Sequence, residues 1–408
     1  MKKVELLAPA GDMDRLKTAI KFGANAVYMA GESFGLRKNA KNFSDEELEK
    51  AVKYAHDRDV KINITMNIVP HDKDMEGIVD YIKYLDKIGV DALIISDPGI
   101  FMIAKENSNI DLHISTQASV TNSSTVNFWY KMGAKRVILA RELSFDEIKN
   151  IRENVPKNLE LECFVHGAMC ISYSGRCLLS NYMTGRDANR GDCAQACRWK
   201  YSLQEEKRPG EYFPVMEDDK GTYIFNSKDL CLLDEIDKLI EIGIDSFKIE
   251  GRMKTQFYVA TVIRSYRQAI DSYYEGNFTK EVIEKYMSEI RKASHRYFTK
   301  AFFYGKADST SQIYESSSYI RGYDFVAQVL DYDKETHIAT IEQRNRFFKG
   351  DEVEIFGNSK DFITYTFDKI TDEKGNVLEV CNKPKQRLLI KIDDVLEPGD
   401  MIRRKIEE

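Results

Sequence analysis

Phe22-Gly23-Ala24-Asn25-Ala26 returns along the chain as Ile88-Gly89-Val90-Asp91-Ala92, Met132-Gly133-Ala134-Lys135-Arg136 and Ile242-Gly243-Ile244-Asp245-Ser246. Each phrase closes an amphipathic run with a glycine, where a left-handed helix cap carries no Cβ penalty, and then turns into a short apolar run. Eight such runs read as strands: Glu5 to Pro9, Ala26 to Ala30, Lys61 to Asn67, Ala92 to Asp97, Leu112 to Gln117, Arg136 to Arg141, Leu159 to His166 and Ser246 to Gly251. Between them, Asp12 to Phe22, Ser44 to Arg58, Met75 to Ile88 and Ser144 to Asn154 carry apolar residues at three- and four-residue steps, the pattern of a helix lying on a sheet. Ser44 and Ser144 each precede a glutamate by three residues, as a capping box requires.

Strands alternating with helices give a parallel sheet, and eight units are the number at which that sheet closes. The expected fold is an α/β (β/α)8 TIM-like barrel over residues 1–320, trailing helices included. An open doubly wound sheet is the alternative, but only the turn Pro9-Ala10-Gly11 follows the first strand, without G-x-G-x-x-G. About 80 residues separate the seventh and eighth strands, so a cysteine-rich insertion at about 168–225 is expected at the mouth. From residue 321 to 408 polar and apolar residues alternate between Gly, Asp and Asn turns, and a small antiparallel β-domain is expected.

The insertion holds four of the seven cysteines as Cys170-x6-Cys177-x15-Cys193-x3-Cys197. Four thiolates suit a tetrahedral zinc or a four-iron cluster. Zinc sites commonly pair ligands as C-x2-4-C, which Cys193 and Cys197 satisfy and Cys170 and Cys177 do not. Disulfides and redox thiols compete, yet Met1-Lys-Lys-Val-Glu-Leu-Leu-Ala-Pro-Ala-Gly11 has no signal-peptide h-region, so a reducing, cytoplasmic setting is expected. Cys163, Cys231 and Cys381 read as small core hydrophobes.

Sixty basic against 66 acidic residues give a net charge of −6, which excludes a globally basic nucleic-acid coat but permits a local basic patch. No apolar run approaches the roughly 20 residues of a membrane span.

The run Glu162-Cys-Phe-Val-His-Gly-Ala-Met-Cys-Ile-Ser-Tyr-Ser-Gly-Arg-Cys-Leu-Leu-Ser180 resembles the signature of the collagenase-like peptidase family U32, E-x-F-x-x-G-[SA]-[LIVM]-C-x4-G-x-C-x-[LIVM]-S, at every fixed position. Glu5-Leu-Leu-Ala-Pro-Ala-Gly11, Gly23-Ala-Asn-Ala-Val-Tyr28 and Lys248-Ile-Glu-Gly-Arg252 extend the resemblance over the barrel, and the β-domain resembles the tail of many members. The resemblance implies a 4Fe-4S cluster and hydroxylation, without molecular oxygen, of tRNA wobble uridine using prephenate or of ubiquinone precursors. Its tRNA branch implies Cys170, Cys177, Cys193 and Cys197 as the ligands, a tRNA anticodon loop and a small carboxylate metabolite as partners, and no membrane. A peptidase is the alternative by family name, and a zinc-stabilised RNA-binding module is a third reading. Neither a nucleophile with an oriented base nor H-E-x-x-H is evident among six histidines.

Within that frame His166 is a candidate proton donor or a structural histidine. Asn67, Asp97, Gln117, Arg141, Glu142, Lys248, Glu250 and Arg252 fall at strand ends, where barrels keep their chemistry. Period-two alternation sends Lys248, Glu250 and Arg252 inward, where a structural Lys248–Glu250 ion pair is one reading and anion binding by Arg252 the other. Arg176, Arg186, Arg190, Arg198 and Lys200 surround the cysteines and suit phosphate, carboxylate or cluster charge, or a solvated face. Tyr173, Tyr182, Trp199 and Tyr201 either stack an unpaired base or pack the segment onto the barrel.

Overall fold

Eight parallel strands close on themselves in a computed structural model that describes residues 3–36, 42–170, 172–173, 176–199, 202–203, 213–214, 226–305, 312–313, 319–358 and 361–406. They are β1 (Glu5–Pro9), β2 (Ala26–Met29), β3 (Lys61–Met66), β4 (Ala92–Ile95), β5 (Asp111–Ile114), β6 (Arg136–Ile138), β7 (Glu160–Ala168) and β8 (Ser246–Ile249). Each pairs with the next, and β8 pairs with both β7 and β1 to shut the barrel. All eight expected strands are present, so the barrel expectation holds. Helices α1 (Met13–Lys21), α2 (Asp45–His56), α3 (Ile78–Lys87), α4 (Pro98–Asn107), α5 (Ser123–Met132), α6 (Phe145–Glu153), α7 (Leu179–Thr184), α8 (Ile236–Glu241), α9 (Gln256–Tyr274) and α10 (Lys280–Arg291) follow in chain order. Ser44 and Ser144 form the expected capping boxes. Asp97 departs from its expected place at the mouth: its carboxylate accepts the Ile100 N–H at 3.0 Å and caps α4.

Alternation along the strands makes two cores. Leu6, Val27, Ile64, Leu93, Val137 and Phe247 point outward into the apolar layer shared with the helices. Leu7, Ala26, Tyr28, Ile94 and Ile138, with Phe164, form a separate cluster inside the barrel. Below that cluster the interior is charged. Arg136 reaches Glu5 at 2.6 Å, Glu160 at 2.6 Å and Glu162 at 2.9 Å, and Lys248 reaches Glu162 at 3.0 Å. The expected Lys248–Glu250 pair is therefore replaced by Lys248–Glu162, because the β7–β8 register sets Glu162 and Phe164 beside Ser246 and Lys248.

His166 takes the structural of its two expected roles and not that of proton donor at the mouth. Strict alternation would carry it inward after Glu162 and Phe164, but the β7–β8 register shifts between Lys248 and Ile249, and His166 comes to pair with the outward-facing Ile249. It is 2 % exposed, with its ring centroid 5.5 Å from those of Tyr266 and Phe298 and 6.0 Å from that of Tyr258. Burial pushes its pKa down to about 3. It is a neutral packing residue on the helix side, away from the mouth.

The C-terminal sheet has the order β13-β12-β17-β9-β10-β16-β14, with β9 at Tyr323–Asp333, β10 at Ile338–Gln343, β12 at Glu352–Phe356, β13 at Ile363–Thr366, β14 at Ile370–Asp372, β16 at Arg387–Lys391 and β17 at Met401–Lys405. Two short strands, β11 (Phe347–Phe348) and β15 (Val380–Cys381), form a separate ribbon. This β-domain has its own apolar core, while Phe356 and Met401 join the core of the barrel. Arg403, fully buried, bonds Glu289 at 2.8 Å and Glu354 at 2.6 Å, and Arg264 donates to the Gly357 carbonyl at 2.8 Å. Cys163, Cys231 and Cys381 are buried. Among the described residues no helix is long and apolar enough to cross a membrane.

Two outcomes follow from this packing. Gly167 has φ +117°, and a Cβ there would stand 2.7 Å from Glu250 Cβ and 2.8 Å from the Glu250 carbonyl oxygen. Gly167→Ala should cost roughly 2–4 kcal/mol by adding left-handed strain to overpacking, read as a lower urea midpoint; an unchanged midpoint would contradict the close approach. His113, buried beside Arg136 and Lys248, also has its pKa pushed well below the ordinary value, first by burial and then by those cations. Both histidines stay neutral in the fold while the unfolded chain protonates near pH 6.5. Their contribution is therefore full above that pH and lost as pH falls below it. Each should remove roughly 1–2 kcal/mol of stability between pH 6.5 and 5.0. Denaturant titrations should show His166→Phe losing about that much less than wild type over the interval; an equal loss in both would refute the assignment.

Candidate active site

The C-terminal ends of the strands open into a cavity of about 160 Å³. Its floor is the top of the barrel interior, with Tyr28, Ile94, Phe164 and Lys248. Its wall is polar and comes from strand ends and the loops after them: Thr65, Asn67, Ser115, Thr116, Gln117, Arg141, Glu250 and Arg252. Its roof is the segment after β7, and Cys170, Cys177, Cys193 and Cys197 all border the same space. Thiols separated by up to 27 positions in the chain are brought to one cavity.

Lys248 is the most constrained side chain of the floor. Its ammonium lies 3.0 Å from Glu162 Oε1, 4.5 Å from the Tyr28 ring centroid and 5.4 Å from that of Phe164. Burial holds its pKa below the usual lysine value, and Glu162 opposes that shift. A partly desolvated ammonium under two aromatic faces makes stronger electrostatic contacts than one in water. Arg141 donates to the Ala168 carbonyl at 2.7 Å and stacks 5.3 Å from Phe164, which fixes it against the end of β7. Arg252, 5 % exposed, donates to the Leu36 carbonyl at 3.0 Å, Thr65 Oγ1 at 3.3 Å and Asn42 Oδ1 at 2.9 Å. It thus ties the loop after β2 to the mouth as well as bordering the cavity.

Asn67 donates to Ser115 Oγ and accepts the Leu36 N–H, both at 3.3 Å. Gln117 Oε1 is buried with no hydrogen-bond partner among the described residues. Buried amide oxygens are rarely left so, and this one is available to a donor on a ligand. Glu142 stands outside the cavity lining, and burial raises its carboxyl above the usual range.

The arginines of the cysteine segment are less available than their density suggests. Arg186 bonds Asp192 at 2.8 Å, and Arg190 pairs with Asp74 in the loop after β3. Both brace the segment; neither stands free for an anion, because acids adjacent in space, one of them distant in sequence, have claimed them. Arg176 is exposed. The Arg198 side chain, Lys200 and Tyr201 lie outside the described residues. Of the described aromatic side chains there, Tyr182 is 87 % exposed, Tyr173 48 % and Trp199 46 %, beside Leu178 at 70 %.

Residues that the sequence reading passed over complete the site. Tyr28, Thr65, Ser115, Thr116 and Phe164 line the cavity, and Ser180 locks its roof. The Ser180 hydroxyl donates to the Arg186 carbonyl at 2.8 Å and accepts the Ala194 N–H at 2.9 Å, joining the second cysteine to the third. Its position as the last fixed residue of the signature was a signal for that role. Gln195 adopts φ 58°, and its N–H points at Cys193 Sγ at 3.3 Å. Hydrogen bonds of this kind tune sulfur-ligated clusters.

Whether these residues fit a metal group depends on the donor set. Among the described residues no three His, Cys, Asp or Glu side chains are gathered closely enough to hold a single ion. Zn–S bonds of ≈ 2.3 Å would draw four thiolates to within about 4 Å of one another, whereas an iron–sulfide cube spreads them further. Four thiols around one cavity, with an N–H aimed at one sulfur, are a donor set that fits an iron–sulfur cluster and that zinc could also use.

With the geometry in hand, comparison with known proteins adds the lineage. The model of Peptidase family U32 matches residues 11–313, and that of the Peptidase family U32 C-terminal domain matches residues 321–403. The tRNA hydroxylation protein P1 of Bacillus subtilis is 43 % identical over 404 residues, covering 99 % of this chain and 95 % of that relative. The tRNA hydroxylation protein P of Escherichia coli is 35 % identical, covering 93 % and 92 %. A Porphyromonas gingivalis protein named Collagenase is 32 % identical, covering 98 % and 97 %. The chain belongs to peptidase family U32.

Proposed function

We propose that this chain hydroxylates RNA, converting the wobble uridine of a tRNA anticodon to 5-hydroxyuridine without molecular oxygen. In this reading Cys170, Cys177, Cys193 and Cys197 hold a 4Fe-4S cluster, and prephenate or a related carboxylate is the hydroxyl source. The observation that carries it is the convergence of four thiols and three cationic side chains on one small cavity. Two relatives named for tRNA hydroxylation, each aligned over at least nine-tenths of both chains, support the RNA substrate.

The cavity, smaller than the roughly 300–1,000 Å³ of drug-sized sites, suits an extruded base and not an intact loop. A base turned out of its stack meets Tyr28 and Phe164 as apolar faces and the free Gln117 carbonyl oxygen as an acceptor for a ring N–H. Arg141, Lys248 and Arg252 offer positive charge to a carboxylate or to the oxygen of the reacting base. Exposed Tyr173, Tyr182 and Trp199 at the rim suit the neighbouring bases. A bound cluster would supply one-electron redox chemistry at the roof of this space.

The relative named Collagenase favours a second reading, peptide hydrolysis. Among the described residues no histidine lines the cavity, and Ser180 is engaged by backbone partners on both sides. Thiols are present at the cavity, but among the described residues it offers no histidine to act as the oriented base that a serine or cysteine protease pairs with its nucleophile.

Nucleoside mass spectrometry of tRNA from cells lacking the gene tests the proposal. Wild type should restore 5-hydroxyuridine, Cys193→Ala should restore none, and Lys248→Met should restore at least tenfold less, since one electrostatic donor commonly contributes 10²–10³ in rate. Unchanged tRNA in the deletion strain, together with gelatin cleavage by Cys193→Ala protein, would overturn the proposal in favour of the peptidase.

A further inference from the structure

Outside the barrel mouth, one surface of the β-domain departs sharply from the acidic balance of the chain. Residues 342–349 and 379–387 carry six Arg or Lys against two Glu, in a protein of net charge −6. The two segments lie side by side. Glu342 pairs across the sheet with Arg387, Phe347 and Phe348 pair with Cys381 and Val380, and the Lys385 N–H donates to the Gln343 carbonyl at 3.1 Å. Arg346, Lys383, Lys385 and Arg387 are exposed along the resulting edge. Among the described residues no ion pair engages Arg346, Lys383 or Lys385. Arg346 stacks 4.8 Å from the Phe348 ring, and Arg387 has only Glu373 at 3.8 Å.

The two lysines are presented on a rigid support. Lys383-Pro384-Lys385-Gln386 is a turn closed by the Gln386 N–H to the Lys383 carbonyl at 3.0 Å, and Lys385 sits at φ 58°, a conformation usually left to glycine. Proline fixes one residue of this turn, and the left-handed lysine is held against its preference. Arg344, at the inner end of the ridge, donates to Gln328 Oε1 at 3.0 Å, and the same oxygen accepts from Gln256 at 3.2 Å. Gln256 opens α9 four residues after Arg252, and Phe257 stacks on Phe325 at 5.7 Å to fix the junction. Side-chain contacts thus link the inner end of the ridge to the start of α9, four residues along the chain from Arg252 of the cavity wall.

We propose that this ridge, centred on Arg346, Lys383 and Lys385, binds the phosphate backbone of the RNA whose target base enters the barrel. The proposal rests on the RNA reading of the mouth and adds to it a second, sequence-independent contact. Cations spaced along an edge, with few acids to neutralise them, suit a polyanion read by its charge, and such contacts position without specifying sequence. An aromatic beside Arg346 adds a stacking face.

Binding of the full-length protein to an unmodified tRNA transcript, measured by fluorescence anisotropy across a potassium chloride series, tests it. The triple variant Arg346→Ala/Lys383→Ala/Lys385→Ala should bind at least tenfold more weakly at 0.15 M salt, with a log–log salt slope shallower by about 2–3. A control removing three exposed lysines from the barrel helices and the loop after α6, Lys131→Ala/Lys149→Ala/Lys157→Ala, should bind as wild type does. If wild type binds and the ridge variant matches it, the ridge proposal falls and the RNA reading of the mouth survives. Equal weakening in both variants would make the effect one of net charge and overturn the ridge. If wild type does not bind the transcript, the RNA reading and the ridge fall together. Capture of phosphatidylserine vesicles without RNA binding would assign the surface to a membrane instead.

Discussion

Glu162 holds the barrel and the site together. It is fully buried, bonded to Arg136 at 2.9 Å on one side and to Lys248 at 3.0 Å on the other. Charges in such a place are tolerated only when each is paired, and removing one partner of a buried pair typically costs about 3–5 kcal/mol. Arg136 spreads its guanidinium over Glu5 and Glu160 as well, so β1, β6, β7 and β8 are joined through one set of ions at the lower end of the barrel. The same set aims Lys248 upward between Tyr28 and Phe164 and makes it the floor of the cavity. Stability below and charge above are thus consequences of one interaction.

Everything local in that arrangement was legible. Glycines such as Gly133 and Gly243 mark helix ends because their positive φ is encoded by a single residue type, and strands follow within a few positions. The four cysteines could be read as one group because thiols are few and their clustering survives any error in strand boundaries. What could not be read depends on register between strands. The pairing of Lys248 with Glu162 instead of Glu250 follows from how β7 lies against β8, and the irregularity that turns His166 outward has no local mark in Val165-His166-Gly167. Arg190 was assigned to an anion because its partner, Asp74, is 116 positions away. Gln117 shows the opposite case, a polar strand-end residue that the folded chain leaves with an unused acceptor.

The β-domain is more than an appendage to this design. Phe356 and Met401 enter the core of the barrel, and the buried Arg403 joins α10 to β12 through Glu289 and Glu354. Buried ion pairs and apolar packing thus fix the β-domain against the barrel. The segment after β7 exposes the apolar Leu178, Tyr182 and Trp199, and the β-domain exposes a basic edge.

The central claim is that the four thiols around this cavity hold one redox-active cluster. Iron, sulfide and zinc analysis with an ultraviolet–visible spectrum, on protein purified without oxygen, tests it most directly. The account predicts about four irons and four sulfides per chain with broad absorption near 400 nm, all lost in Cys193→Ala. One zinc per chain and no visible absorption would contradict it and return the cysteines to a structural role.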